Sequence, residues 1–427
     1  MKKLLCLTLN VLMTTSLISC GGNSGKTDEF KPSLDVETDC KIRVVGDYSN
    51  FEALENEFDK FNKYYPNVIL EYDKLDDYKN TLATTLSAEH DRPNIFFSYT
   101  WMIGNEKYNS VVDHMEELSD AKLKFNLDCI RPSLINRDGQ GKVFMAPIFS
   151  RTYGTLVNNG LFKKENLKIP TKWSELLDVC KSFLEKEYKN PMMGYSKDSS
   201  SCLMNTIAYP TFLADIANNP SVIALANKPD KAAGEYTRNA LEKVKKLVDD
   251  GCVNIEECNA IGNNYDKVIL RFFEGDVPMM ICAGDVVSGT KKREEQSPAF
   301  KESPFTYSYI PLPVTEQGGY FVDSPSVEFS VNKECENLDM TNEFMRFLLR
   351  DSELNDMAAI KRLTTPTKKM AFDPIYAEFG KVPTERTYFP EVLGVKDALA
   401  NQIRIASYKV GKGELTVDQA VEQYGTF

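Results

Sequence analysis

The sequence predicts an α/β protein that opens with a doubly wound domain and is large enough for two lobes. Strands and amphipathic helices alternate from Ile42 to Ser98, the pattern of parallel strands joined by right-handed crossovers. The chain has 427 residues, 42% of them hydrophobic, which exceeds what one core organises and suits two. After Asn158 the pattern shifts towards helices.

Ile42-Arg43-Val44-Val45-Gly46 reads as the first strand. Phe51, Leu54, Phe58, Phe61 and Tyr65 recur at spacings of three and four and mark a helix. Val68 to Tyr72 is the second strand, and Leu75, Tyr78, Leu82 and Leu86 mark the next helix. Asn94 to Ser98 is the third strand. In such a sheet, ligand groups belong beyond the carboxyl ends of the strands, here Asp47-Tyr48-Ser49 and Tyr99-Thr100-Trp101. Val143–Pro147 and Gly154–Asn158 read as further strands. Thr171 is placed to cap a helix carrying Trp173, Leu176, Leu177, Cys180 and Leu184 on one face. Helices from Glu235 to Asp249 and from Tyr265 to Glu274 stop at Gly251 and Gly275. The strand Val277–Ile281 follows, and Thr416 to Gln419 forms a capping box before a last helix.

The amino terminus reads as an export signal: Lys2-Lys3, a short apolar run, then Leu17-Ile18-Ser19-Cys20. That tetrad resembles the lipobox of bacterial lipoproteins, which implies cleavage before Cys20 and a lipid on it. The alternative is an ordinary secretory signal with an incidental cysteine. Removing residues 1–19 takes away Lys2 and Lys3 and no acid, so 408 residues remain and the net charge moves from −11 to −13. Such acidity disfavours nucleic acid and anionic lipid surfaces. Asn23 to Pro32 is polar and aperiodic and reads as a stalk. Ten cysteines are present, none in a zinc-like Cys-x-x-Cys pair. Cys180 and Cys282 lie inside apolar patterns as core residues, and Cys252 and Cys258 flank a loop short enough to bridge or to stay reduced.

Five segments in order resemble the extracellular solute-binding protein family 1, the sugar-binding lipoproteins of ABC importers that include maltose-binding protein. They are Gly141-Lys142-Val143-Phe144-Met145-Ala146-Pro147, Leu156-Val157-Asn158-Asn159-Gly160-Leu161-Phe162, Pro170-Thr171-Lys172-Trp173-Ser174-Glu175-Leu176, the run from Phe273 to Gly284, and Glu343-Phe344-Met345-Arg346-Phe347-Leu348. The resemblance spans about Lys41 to Tyr424. It implies two doubly wound α/β lobes joined by hinge strands, a periplasmic-binding-protein-like fold of type II. The expected division is a signal over 1–19, lipidated Cys20 and stalk over 20–40, an N-terminal lobe of 41–155 plus 288–333, and a C-terminal lobe of 156–287 plus 334–427. Hinge strands are expected near Tyr153–Asn158, Ala283–Thr290 and Val331–Glu334. The departures are specific. Asp285 stands after Gly284 where the family usually has an aromatic, Lys396-Asp397 replaces a stacking pair, and Tyr209-Pro210 replaces Trp-Pro.

The resemblance implies a carbohydrate gripped between lobes and handed to ABC permease subunits, with no catalysis and no cofactor. The protein is expected to be a monomer held at the outer face of the cell membrane by its lipid alone. Sugars present axial hydrogens to aromatic faces and hydroxyls to polar groups. The candidate ligand-binding residues are therefore Asp47, Tyr48, Tyr99, Trp101, Arg151, Tyr153, Asn205, Asp285, Asp323 and Arg386. Six of them have a plainer alternative. Asp47 and Tyr48 fit a helix cap, Tyr99, Trp101 and Tyr153 fit lobe packing, and Arg151 fits a lobe ion pair. Tyr209 reads as a wall residue. Three other readings compete. The same binding lobe would also suit chemosensing or adhesion. A polyamine would suit Asp47, Asp285 and Asp323. An exported hydrolase would have to use His90 or His114, the two histidines, since no Gly-x-Ser-x-Gly, His-Glu-x-x-His or Walker motif is present.

If Cys20 carries the lipid, Cys20→Ala leaves the protein unprocessed or releases it from the membrane fraction. Continued labelling of that variant with radioactive fatty acid contradicts the anchor.

Overall fold

A computed structural model describes residues 29–194, 202–261, 265–370 and 373–427. The expected signal peptide, Cys20 and the stalk up to residue 28 lie outside the described residues. From Ser33 the chain is tied down: its N–H and hydroxyl donate to the Glu343 carboxylate at 2.8 and 2.7 Å, and its N–H also reaches the Tyr65 hydroxyl at 3.1 Å. The stalk expected over 20–40 therefore ends before Ser33, because Glu343 supplies an acceptor for the backbone there.

The first sheet has the order β2-β1-β3-β12-β4. Its strands are β1 (Cys40–Gly46), β2 (Val68–Lys74), β3 (Ile95–Ser98), β4 (Ala146–Pro147) and, much later, β12 (Glu328–Val331). β1 is parallel to β2 and β3, while β12 runs antiparallel to β3 and β4. The expected helical stripe forms Glu52–Phe61. Its buried residues meet the helices Leu338–Leu348 and Asp351–Lys361, with Phe344 and Phe347 rings 5.2 and 5.4 Å from Phe61. Full burial of each such side chain contributes about 1.5–3 kcal/mol, which fixes these late helices on the first sheet.

The second sheet has the order β7-β8-β6-β9, from β6 (Tyr153–Asn158), β7 (Met192–Gly194), β8 (Met279–Ala283) and β9 (Tyr307–Ile310). The helix Cys202–Ile216 packs between this sheet and the helices Arg238–Asp249 and Asp397–Gly411. It is apolar on nearly every face over its described side chains, as a buried helix must be. One local expectation changes, and one open alternative is resolved. Thr171 does not cap the helix Trp173–Glu185; its N–H and hydroxyl instead donate to Glu175 at 2.8 and 2.9 Å. Cys252 and Cys258 are free thiols, and the neighbour of the Cys252 sulfur is Cys180. The capping box at Thr416 forms as the sequence predicts.

The chain passes between the sheets three times. It crosses at β5 (Ser150–Arg151), at β10 (Phe321–Val322) with β11 (Ser324–Pro325), and along 362–370. β5 pairs with β11, and β10 pairs with β13 (Thr387–Tyr388). This corrects the expected division of the chain. β9 is hydrogen-bonded to β6, so the part of 288–333 before β10 lies with the second sheet. The helices within 334–361 pack on Glu52–Phe61, so they lie with the first. The expected hinges are likewise displaced: Tyr153–Asn158 is central in the second sheet, Ala283 ends β8, and Val331 ends β12.

Arg131 joins the three crossings. It is 7% exposed. Its Nε and Nη2 donate to Asp323 Oδ2 at 3.0 and 2.6 Å, Nη2 also donates to Ser150 Oγ at 3.1 Å, and Nη1 donates to the Thr365 and Thr367 carbonyls at 2.8 Å each. Removing one partner of a buried pair costs about 3–5 kcal/mol because the other charge is left uncompensated. Arg131→Ala is therefore expected to lower the urea midpoint markedly, and Arg131→Met with Asp323→Leu to recover most of it. A single variant that melts with the wild type contradicts this role.

Candidate functional site

The carboxyl ends of β1 and β3 carry the first group of site residues. β1 ends at Gly46, where a Cβ would lie 2.6 Å from the Phe97 ring, and the chain then turns out at Asp47. β3 runs into a short turn, Thr100–Met102. The Tyr99 and Trp101 rings stack, with centroids 5.5 Å apart and planes 11° from parallel. Tyr108 meets Trp101 edge-on at 5.0 Å, and the Lys79 ammonium lies 5.2 Å from the Trp101 centroid. The Tyr99 hydroxyl donates to the Asp47 carboxylate at 3.0 Å, and burial, followed by Asp47, raises its pKa. Tyr48 packs edge-on against Phe51 and Phe97, with Lys361 4.3 Å over its ring. Tyr48 is therefore mainly a packing residue, and burial lowers the Lys361 pKa.

The second group sits where the chain leaves β5. The register of β6 with β8 sets Tyr153 opposite Ala283, and the Gly284 N–H donates to the Thr152 carbonyl at 2.8 Å. Arg151 and Asp285 are thereby brought alongside each other, and both are exposed. Tyr153 and Tyr209 meet edge-on at 6.1 Å. The Arg151 pKa is raised by Tyr153 first, with Asp285, Glu391 and Tyr209 adding to the rise. These five residues thus share one electrostatic neighbourhood. Asn205 lies one helical turn before Tyr209 on Cys202–Ile216; it is buried, and its Oδ1 has no hydrogen-bond partner among the described residues.

Two acids that sequence reasoning missed connect the groups. Glu328, the first residue of β12, accepts a hydrogen bond from Thr100 Oγ1 at 3.0 Å. Burial, with Glu391 adding and Thr100 opposing, pushes its carboxyl up to about 8. Glu391, on the short helix Pro390–Leu393, acts on both Glu328 and Arg151. No motif marks either acid; only the antiparallel return of β12 beside β3 places Glu328 next to Thr100.

Two expected site residues belong elsewhere. Asp323 is 0% exposed and held by Arg131 beneath the crossings; burial raises its pKa against the attraction of Arg131. Arg386 donates to the Gly319 carbonyl at 2.7 Å and lines a separate depression of about 400 Å³ with Ile169, Pro311 and Val382. Trp173 begins its helix as expected, donating its N–H to the Thr315 carbonyl at 3.0 Å, with Lys243 4.7 Å over the ring. His114 faces Ser87 and Glu334. Among the described residues there is no group of three metal-ligating side chains, and no helix is long and apolar enough to cross a membrane.

Residues 57–384 match the family of bacterial extracellular solute-binding proteins, and the chain belongs to it. This is the class that the sequence motifs resemble, and its members are binding proteins. No curated protein matches the sequence. Among solved structures, the chain is similar to a sugar transporter from Bacillus licheniformis in complex with stachyose, at 16% identity and TM-score 0.60, covering 90% of this chain and 98% of that one. It is also similar to a chitin oligosaccharide binding protein, at 15% identity and TM-score 0.67, covering 91% and 98%. A third is the binding protein RafE in complex with raffinose, at 16% identity and TM-score 0.61, covering 91% and 98%. At these identities the likeness establishes a periplasmic-binding-protein-like α/β fold.

Proposed function

We propose that this protein captures a carbohydrate between its two sheet-centred halves and delivers it to the permease of an ABC importer, tethered outside the cytoplasm by a lipid on Cys20. The observation that carries the reading is the Tyr99–Trp101 stack at the end of β3, with Arg151 on the first crossing, Asp285 after β8 and Glu391 acting on Arg151. A flat aromatic face takes the axial hydrogens of a pyranose ring, while mixed acceptors and donors take its hydroxyls. The family membership and the sugars in the names of the similar structures point the same way. The mechanism is closure without bond making: the halves swing about the three crossings, and the closed form is what the permease reads.

A polyamine is the second reading. Asp47, Asp285, Glu328 and Glu391 supply carboxyl groups around the same space, and an extended amine would pair with them.

A thermal-shift screen over mono- and oligosaccharides, with spermidine included, tests the proposal. A ligand at 100 times its dissociation constant adds about 2.7 kcal/mol to stability. Trp101→Ala and Asp285→Ala are each expected to weaken binding of the best saccharide at least about tenfold, since losing a paired hydrogen-bond partner costs about 1–3 kcal/mol. Trp173→Ala is expected to lower the melting temperature and leave affinity unchanged. Calorimetric titration decides; loss of affinity in Trp173→Ala with none in Trp101→Ala contradicts the placement of the site.

A further inference from the structure

Glu328 carries a feature that packing does not explain. It is 1% exposed, and while Oε2 accepts from Thr100, Oε1 is buried with no hydrogen-bond partner among the described residues. A buried acid with an unsatisfied oxygen destabilises a fold. This one lies at the ligand-facing edge of the first sheet. Its backbone pairs with Ser98, the last residue of β3, and its side chain meets the residue between Tyr99 and Trp101. On its other flank β4 offers only Ala146 and Pro147. The charged neighbour is Glu391, with Arg151 in turn beside Glu391.

We propose that Glu328 is a ligand-binding residue whose Oε1 accepts a hydroxyl of the carbohydrate stacked on Tyr99 and Trp101. This rests on the carbohydrate reading above and adds to it the group that recognises an equatorial or axial hydroxyl beside the stacked ring. Oε1 is shielded in this structure, so the hydroxyl reaches it while the halves are apart and is enclosed as they close.

The chemistry gives the contact a signature. Without ligand, burial keeps Glu328 protonated at neutral pH, with its carboxyl at about 8. A hydroxyl donor favours the ionised form and lowers that value. Binding then releases a proton, and affinity rises with pH. A fall of one unit on binding gives an increase of about fivefold between pH 6 and pH 8. The folded-state value lies above the ordinary glutamate value, so the acid's stability contribution is lost as pH rises through about 8. Glu328→Gln removes that loss while keeping the shape.

The test compares wild type and Glu328→Gln against raffinose, stachyose, chitin oligosaccharides and spermidine, first by thermal shift and then by calorimetric titration at pH 6 and pH 8. The expected result is a variant that melts at or above the wild type at pH 8, binds the wild type's best saccharide at least tenfold more weakly, and shows no rise in affinity with pH. A variant that binds that saccharide like the wild type, with the same pH dependence, overturns the role of Glu328 and leaves the carbohydrate reading standing. Binding of spermidine alone overturns the carbohydrate reading and the hydroxyl contact with it. A wild type that responds to none of these probes overturns both.

Discussion

The Arg131 guanidinium reaches all three segments that pass between the two sheets, and every other part of the binding arrangement is positioned relative to them. Its five N–H donors are directed to Asp323 on the second crossing, to Ser150 on the first and to two carbonyls on the third. A lysine would not reproduce this, because its ammonium has three donors and no planar fork. The desolvation of the pair is severe, as the raised Asp323 pKa records, and the hydrogen bonds to three segments of the chain are what offset it. The result is a dry, specified junction between halves that each have their own sheet and core.

Because the junction is so constrained, the candidate residues just outside it are held in place. Arg151 follows Ser150 directly and Tyr153 opens β6 two residues later; Asp285 is brought beside them by the hydrogen bond between Gly284 and Thr152. The aromatic stack belongs to the first sheet and Asp285 to the second, so a ligand touching both feels any rotation about the crossings. Glu328 and Glu391 act on each other electrostatically, and Glu391 also acts on Arg151.

Much of this was legible in the sequence, for a physical reason. The alternation from Ile42 to Ser98 reports local periodicity, and local periodicity survives into β1 and β3 with shifts of a residue or two and into the helix Glu52–Phe61, which stops four residues short of Tyr65. Arg151, Tyr153 and Asp285 follow strands whose ends could be found, and the structure brings them together. Asp323 and Arg386 lie apart from that group, because their partners, Arg131 and the Gly319 carbonyl, are distant in sequence and leave no local trace. The lobe boundaries failed for the same reason: only the contact of Phe344 and Phe347 with Phe61 draws residues 338–361 back to the first sheet. Glu391 and Glu328 were invisible because an acid acquires its role from burial, and burial of a strand that returns antiparallel is a property of topology.

The central claim is that two halves joined at the Arg131 junction close on a carbohydrate. Small-angle X-ray scattering on the protein with and without a saturating saccharide measures this directly. A smaller radius of gyration in the presence of the saccharide is the predicted result. An unchanged radius at demonstrated saturation contradicts closure as the mechanism.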